Sequence, residues 1–290
     1  MSHPIHQANE ESPYGEYTRE EFYRKHQILQ HQSFTLNKEN MKIFTQLWSQ
    51  DSASQPKGLV AMVHGYSSES SWINELTAVA IAKAGFLVCA LDLQGHGYSD
   101  GLPGHIPDIQ SVVNDCIQVF DSVKADNPKL PAFLYAKFKP IWPLEKLLPV
   151  AALLAPSWRI LVSKPVASKS YKEEWKRRLV AKNPNRRRPG KPPAATAMAF
   201  LRVCEYIRRH CHELEVSLLM VHGEEDAVCD VNAARFVYES AATKDKTLKI
   251  FPGMWHMLIG EPKENVELVF CTIFSWLGDH AAKARDKAYY

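Results

Sequence analysis

The feature that most constrains this chain is the run Gly58-Leu-Val-Ala-Met-Val63, which has no polar side chain and is stopped at once by His64-Gly65. A strand with one wet face alternates polar and apolar residues; a strand apolar throughout is buried on both faces, as central strands of helix-covered parallel sheets are. The neighbouring segments fit that frame. A helical pattern runs from Trp72 to Ala84 and is ended by Gly85, and a second buried strand, Phe86 to Leu91, precedes a glycine-rich loop from Asp92 to Gly104. That is a β-α-β unit. A further helix is predicted from Ile109 to Lys124, and Pro131-Ala-Phe-Leu-Tyr135 begins a third parallel strand.

Upstream, residues 1–32 read as a polar leader with a helix around Arg19 to His31, followed by alternating strands at Ser33–Leu36 and Ile43–Trp48. Downstream of Tyr135 the alternation breaks: Ala136-Lys137-Phe138-Lys139-Pro140 leads into a stretch rich in proline and tryptophan. Strand–helix alternation resumes with Val216–Val221, a helix at Val231–Ala241, and Leu248–Phe251. The chain therefore divides into 1–32, a first half of the core at 33–136, an inserted helical segment at 137–212 and a second half of the core at 213–290.

The 290 residues are 46% hydrophobic and 23% charged, enough for one sizeable core, and the formal charge of +3 gives no reason to expect nucleic acid as a partner. The amino terminus lacks the pattern of a signal peptide, and the longest apolar stretches, such as Leu147–Ala155, are too short to span a bilayer. Cys89, Cys116, Cys204, Cys211, Cys229 and Cys271 include no C-x-x-C pair, so they read as reduced thiols of a cytoplasmic protein. His210-Cys211-His212 offers metal ligands but has no second cluster to complete it, so neither a metal nor a cofactor is expected.

Parallel sheets carry their chemistry in the loops at the carboxyl ends of the strands. After Val63 comes His64-Gly65-Tyr66, where a glycine lets backbone approach a ligand and the next amide can face a developing oxyanion; the same residues also suit a plain strand-to-helix turn. After Val221 comes His222-Gly223-Glu224-Glu225-Asp226, and after Phe251 comes Gly253-Met254-Trp255-His256. Asp226 alone reads as a turn residue and His256 alone as a loop histidine. Acid before histidine in two such loops is, however, the chain order of α/β-hydrolases.

With Leu91-Asp-Leu-Gln-Gly-His-Gly-Tyr-Ser-Asp-Gly101 added, these segments resemble the monoacylglycerol lipase and lysophospholipase branch of the serine aminopeptidase S33-type α/β-hydrolases, which includes the plant caffeoylshikimate esterases. The resemblance covers about residues 30–280 and implies hydrolysis of carboxylic esters, namely monoacylglycerols, lysophospholipids or related hydrophobic esters. It makes Asp226 the triad acid, His256 the general base and the amide of Tyr66 an oxyanion donor, with Gly65 and His64 shaping its turn. Segment 137–212 becomes a lid over the acyl pocket, with peripheral membrane contact through that lid.

The family also carries a G-x-S-x-G nucleophile elbow directly after the strand that here ends at Tyr135, and this chain departs from it. The elbow is a tight strand-to-helix turn that lifts the serine oxygen into the pocket. Ala136-Lys137 cannot form it. The expected fold class is thus α/β, a doubly wound, mostly parallel hydrolase sheet with an inserted helical lid, lacking the elbow helix and one central strand. Gly97-Tyr98-Ser99-Asp100-Gly101 matches G-x-S-x-G as text, but it lies beyond the end of its strand and no helix can begin after Ser99. Ser67, Ser68, Ser70 and Ser71 read as caps for the helix at Trp72.

Three readings are open: an inactive shortened form of a serine esterase, a non-catalytic module that binds lipid or protein, and a weak hydrolase using Ser99. In the inserted segment, Ile141, Trp142, Leu147, Leu148 and Trp158 suit short amphipathic helices. Lys176-Arg177-Arg178 and Arg186-Arg187-Arg188 read as a basic run, either a solvated face or a site for anionic headgroups or nuclear import.

Overall fold

The computed structural model describes residues 2–106, 108–136, 167–185 and 193–288. Helix α1 (Arg19–His26) starts on a capping box, with Thr18 accepting from the Glu21 amide and Glu21 reaching back to the Thr18 amide. It stops earlier than the sequence predicts: Gln27 takes a left-handed conformation, and from Ile28 the backbone is committed to β1 (Ile28–Leu36). This strand pairs antiparallel with β2 (Lys42–Gln50). The hairpin is the predicted one, extended at both ends.

The central strands follow the apolar runs. Strand β3 (Leu59–Val63) is followed by α2 (Trp72–Lys83), β4 (Leu87–Leu91), α3 (Ile109–Asp126) and β5 (Ala132–Ala136). The sheet order is β1-β2-β4-β3-β5, with β4, β3 and β5 parallel and β2 antiparallel to β4. Helix α2 is buried from Ile73 to Ala82, which its alanine-rich sequence permits because small side chains let it lie close on the sheet.

In the inserted segment, α4 (Ala167–Ser170), α5 (Glu174–Ala181) and α6 (Ala194–His210) are described. Ile141, Trp142, Leu147, Leu148, Trp158 and Arg186 to Arg188 lie outside the described residues. The second half contributes β6 (Leu218–Gly223), α7 (Val231–Ser240), β7 (Lys246–Phe251) and the long α8 (Lys263–Ala288). Strands β6 and β7 pair in parallel and form their own two-stranded sheet among the described residues.

The halves share one core. Val60, Met62, Leu76, Phe86 and Val88 pack in the same cluster as Phe251, Val266, Phe270 and Leu277, and Phe133 of β5 meets Trp276 of α8 edge to face. Each fully buried side chain of this kind contributes about 1.5–3 kcal/mol. Residues 2–32, polar in composition, are no loose leader: Ile5 and Phe22 are fully buried, and Arg19 pairs with the buried Glu75 of α2. No helix among the described residues is long and apolar enough to cross a membrane.

Candidate active site

Gly223 makes the meeting of the two carboxyl-terminal loops possible. A Cβ there would lie 2.4 Å from the Met254 carbonyl oxygen and 2.5 Å from that of Trp255, so only glycine lets β6 end against the turn after β7. The Glu224 amide donates to Phe251 O and the Glu225 amide to Met254 O, which fastens the loops together. The Trp255 amide donates to the fully buried Glu261 carboxylate, and Gly253 O accepts from Lys172. The histidine loop is therefore anchored on three sides.

On this frame His256 Nδ1 donates to Asp226 Oδ2 at 2.8 Å. The other carboxylate oxygen accepts from the Val228 and Cys229 amides at 2.7 and 2.8 Å. Burial works to raise the Asp226 pKa, but the His256 hydrogen bond and charge, with those two amides, outweigh it and hold it below its ordinary value. An ionised carboxylate on Nδ1 fixes the tautomer and leaves the Nε2 lone pair available as a base. The Asp226 side chain is 3% exposed and that of His256 16%, a buried acid behind a reachable imidazole. His222 approaches the same carboxylate, with Nε2 3.4 Å from Asp226 Oδ2.

His64 and Gly65 stand at the end of β3. Leu93 donates its amide to His64 Nε2 at 3.0 Å and His64 Nδ1 lies 2.9 Å from Gly65 O, so this imidazole ties the turn after β3 to the exit of β4. Tyr66 is next along the turn; its hydroxyl donates to Gly104 O, and its ring meets His96 and Phe200 edge to face. A small hollow beside this turn is lined by Met62, His64, Ser70, Asn74 and Tyr135.

Ser99 sits elsewhere in chemical terms. Its hydroxyl is fully buried, donates to Asp92 O at 2.6 Å and accepts the Phe44 amide at 2.8 Å, which pins the glycine-rich loop to β2. Asp92 accepts from the Tyr98 amide within the same loop and from the Ser70 amide in the turn before α2. Ser71 occupies the amino-terminal cap position of α2, yet its hydroxyl makes no capping bond; the Ser70 and Ser71 hydroxyls instead accept from Gln46 Nε2. The reading of Ser71 as a side-chain cap fails because Gln46 of β2 engages its hydroxyl instead.

One further expectation is corrected. Lys176 is no solvated member of a basic run: it is buried, with its ammonium donating to Ile259 O and Glu261 O, while Arg178 pairs with Glu10 and Glu174. The sequence reading sets His210-Cys211-His212 aside as a metal site; the metal-ligating side chains that the fold gathers among the described residues are Asp226, Cys229 and His256. The spacing of His222, Asp226 and Cys229 along the chain is the sequence signal that leads there.

The architecture and the loop-borne acid–histidine pair are those of an α/β-hydrolase. The chain belongs to the serine aminopeptidase S33 family, whose pattern it matches over residues 54–138 and 136–263. Caffeoylshikimate esterase of Arabidopsis thaliana is 29% identical over 311 aligned positions, covering 94% of this chain and 93% of that protein. Monoglyceride lipase of Homo sapiens is 26% identical, covering 86% of this chain and 91% of its own. A soluble variant of monoglyceride lipase from Saccharomyces cerevisiae, solved with a substrate analog, superposes with a TM-score of 0.75 at 16% identity, covering 86% of this chain and 94% of that one. The family points to ester hydrolysis.

Proposed function

We propose that this chain is a catalytically silent, internally shortened member of the family: it keeps Asp226 and His256 as acid and base and lacks the serine they would activate. The carrying observation is where the family match divides. Its two segments meet at residues 136–138, directly after β5, where the nucleophile elbow belongs. No glycine occurs between Gly104 and Gly190, and no serine between Ser122 and Ser157, so the sequence after β5 cannot supply a G-x-S-x-G turn.

Three further observations support the same reading. The 311 positions aligned with the Arabidopsis esterase exceed the 290 residues of the whole chain, so at least 21 positions of that alignment have no residue here. A β-α-β crossover needs about 30 residues. Strand β5 has no partner beyond β3 among the described residues, and Leu134 on it is 67% exposed, unlike a strand inside a helix-covered sheet. Ser99 is committed to its loop by two hydrogen bonds and is not offered as a replacement.

In this reading the hydrophobic esters that the relatives' names describe would be substrates only of a chain with the elbow intact; His256 would then take the serine proton, Asp226 would stabilise the resulting imidazolium, and the Tyr66 amide would face the oxyanion. We place the protein in the cytoplasm, with the inserted segment 137–212 as its lid and membrane-facing part. The test is hydrolysis of monoacylglycerol and p-nitrophenyl esters by the purified chain. Turnover indistinguishable from that of the His256→Ala variant is expected; turnover that disappears in His256→Ala would overturn the proposal.

A further inference from the structure

We propose that Asp226, Cys229 and His256, with His222 beside them, form a binding site for a zinc-class divalent cation. One carboxylate oxygen, the Cys229 sulfur and one imidazole nitrogen of His256 lie within 4.8 Å of one another. His222 Nε2 stands 3.4 Å from Asp226 Oδ2 and 3.3 Å from Cys229 O, so this imidazole borders the three mutually close donors and is not one of them. A tetrahedral zinc ion, with bonds of about 2.0–2.3 Å, holds its ligand atoms about 3.3–3.8 Å apart. The present spacings, from 2.8 Å between His256 Nδ1 and Asp226 Oδ2 to no more than 4.8 Å across the three donors, bracket that geometry.

The donor set is selective. A thiolate, an imidazole and a single carboxylate suit zinc, cobalt or copper and not the oxygen-seeking magnesium or calcium. Cys229 is buried and in no disulfide, and its backbone amide donates to the Asp226 oxygen that faces away from His256. The turn that aims the carboxylate thus also sets the sulfur beside it, the kind of outer hydrogen bonding that orients metal ligands. An acid–base pair for acyl transfer requires the carboxylate and the imidazole alone; the sulfur adds a soft donor that such chemistry does not use. An ion on Asp226 would displace the proton that it now shares with His256, so metal binding and base catalysis exclude each other at this site.

The experiment is titration of the chelator-stripped, full-length chain with Co²⁺. A thiolate-to-cobalt charge-transfer band and the intense visible bands of tetrahedral cobalt should saturate at one equivalent and be bleached by Zn²⁺. In Cys229→Ser the charge-transfer band should vanish and zinc affinity, measured against a chromophoric chelator, should fall at least tenfold; His222→Ala should weaken affinity but keep the band. Cys211→Ser should change neither. Zinc should also raise the unfolding midpoint of the wild-type chain, because it binds only the folded site. A wild-type chain without the charge-transfer band, or a band that survives in Cys229→Ser, would overturn the assignment, and the first of these needs no variant to fold.

Discussion

His256 Nδ1 meets Asp226 Oδ2 at 2.8 Å between two loops whose strands, β6 and β7, share no backbone ladder with β5 among the described residues. Both residues of the pair come from the second half of the chain, whose two loops are stitched by Gly223 and the amides of Glu224 and Glu225, while Lys172 and Ser170 of the inserted segment hold the His256 loop from outside.

The pair should be visible in acid stability. Asp226 has its pKa below the ordinary value in the folded state, so its contribution is present above the unfolded carboxylate pKa and is lost as pH falls through the folded one. Asp226→Asn should lower stability by about 1–3 kcal/mol at neutral pH and by much less at the acid end of that window. Urea unfolding at several pH values checks it; an equal loss at all of them would contradict it.

Ser99 should behave as a structural residue. Ser99→Ala leaves the Phe44 amide without its buried acceptor and should cost about 1–3 kcal/mol. Reactivity of the chain toward serine-directed reagents should not change, which intact-mass measurement after labelling will show.

Glu69 predicts the opposite pH trend from Asp226. Burial, reinforced by the neighbouring Asp92 carboxylate, raises its pKa from 4.5 to about 7. A carboxyl raised in the folded state favours folding while protonated, so stability should fall between about pH 4.5 and 7 and level off above. The drop is on the order of 3 kcal/mol. Because Asn183, just beyond α5, donates to Glu69 at 2.8 Å, the inserted segment is held at the same point. In Glu69→Gln the difference in unfolding free energy between pH 5 and pH 8 should shrink; an unchanged difference would rule out this source.

The open flank of β5 predicts low cooperativity. Among the described residues β5 has no partner beyond β3, and its exposed Leu134 is an invitation to association when net stabilities are only about 5–15 kcal/mol. Light scattering during heating should show aggregation at a lower temperature for this chain than for one with the crossover restored.

The buried strands β3 and β4 and helices α2 and α3 were legible because an apolar run or a helical stripe states its own burial; β5 was legible as a strand, but its alternating exposure was not. The placement of Asp226 and His256 in loops that meet was legible too, because strand ends set those positions. What the sequence hid was set by partners distant along it. The end of α1 depends on β1 pairing with β2, and the burial of Lys176 depends on carbonyls at Ile259 and Glu261. Ile5 and Phe22 are single apolar residues in a polar stretch, too sparse to show a period, and Cys229 gains meaning only when the β7 loop folds over it.

The most direct measurement is fluorophosphonate labelling of the purified chain, followed by peptide mapping, beside a version with an elbow segment inserted after Ala136. No label is expected on the chain as it stands, and label is expected on the inserted serine in the restored version, abolished by His256→Ala. Label on Ser99 or any other serine of the unaltered chain, dependent on His256, would contradict that expectation.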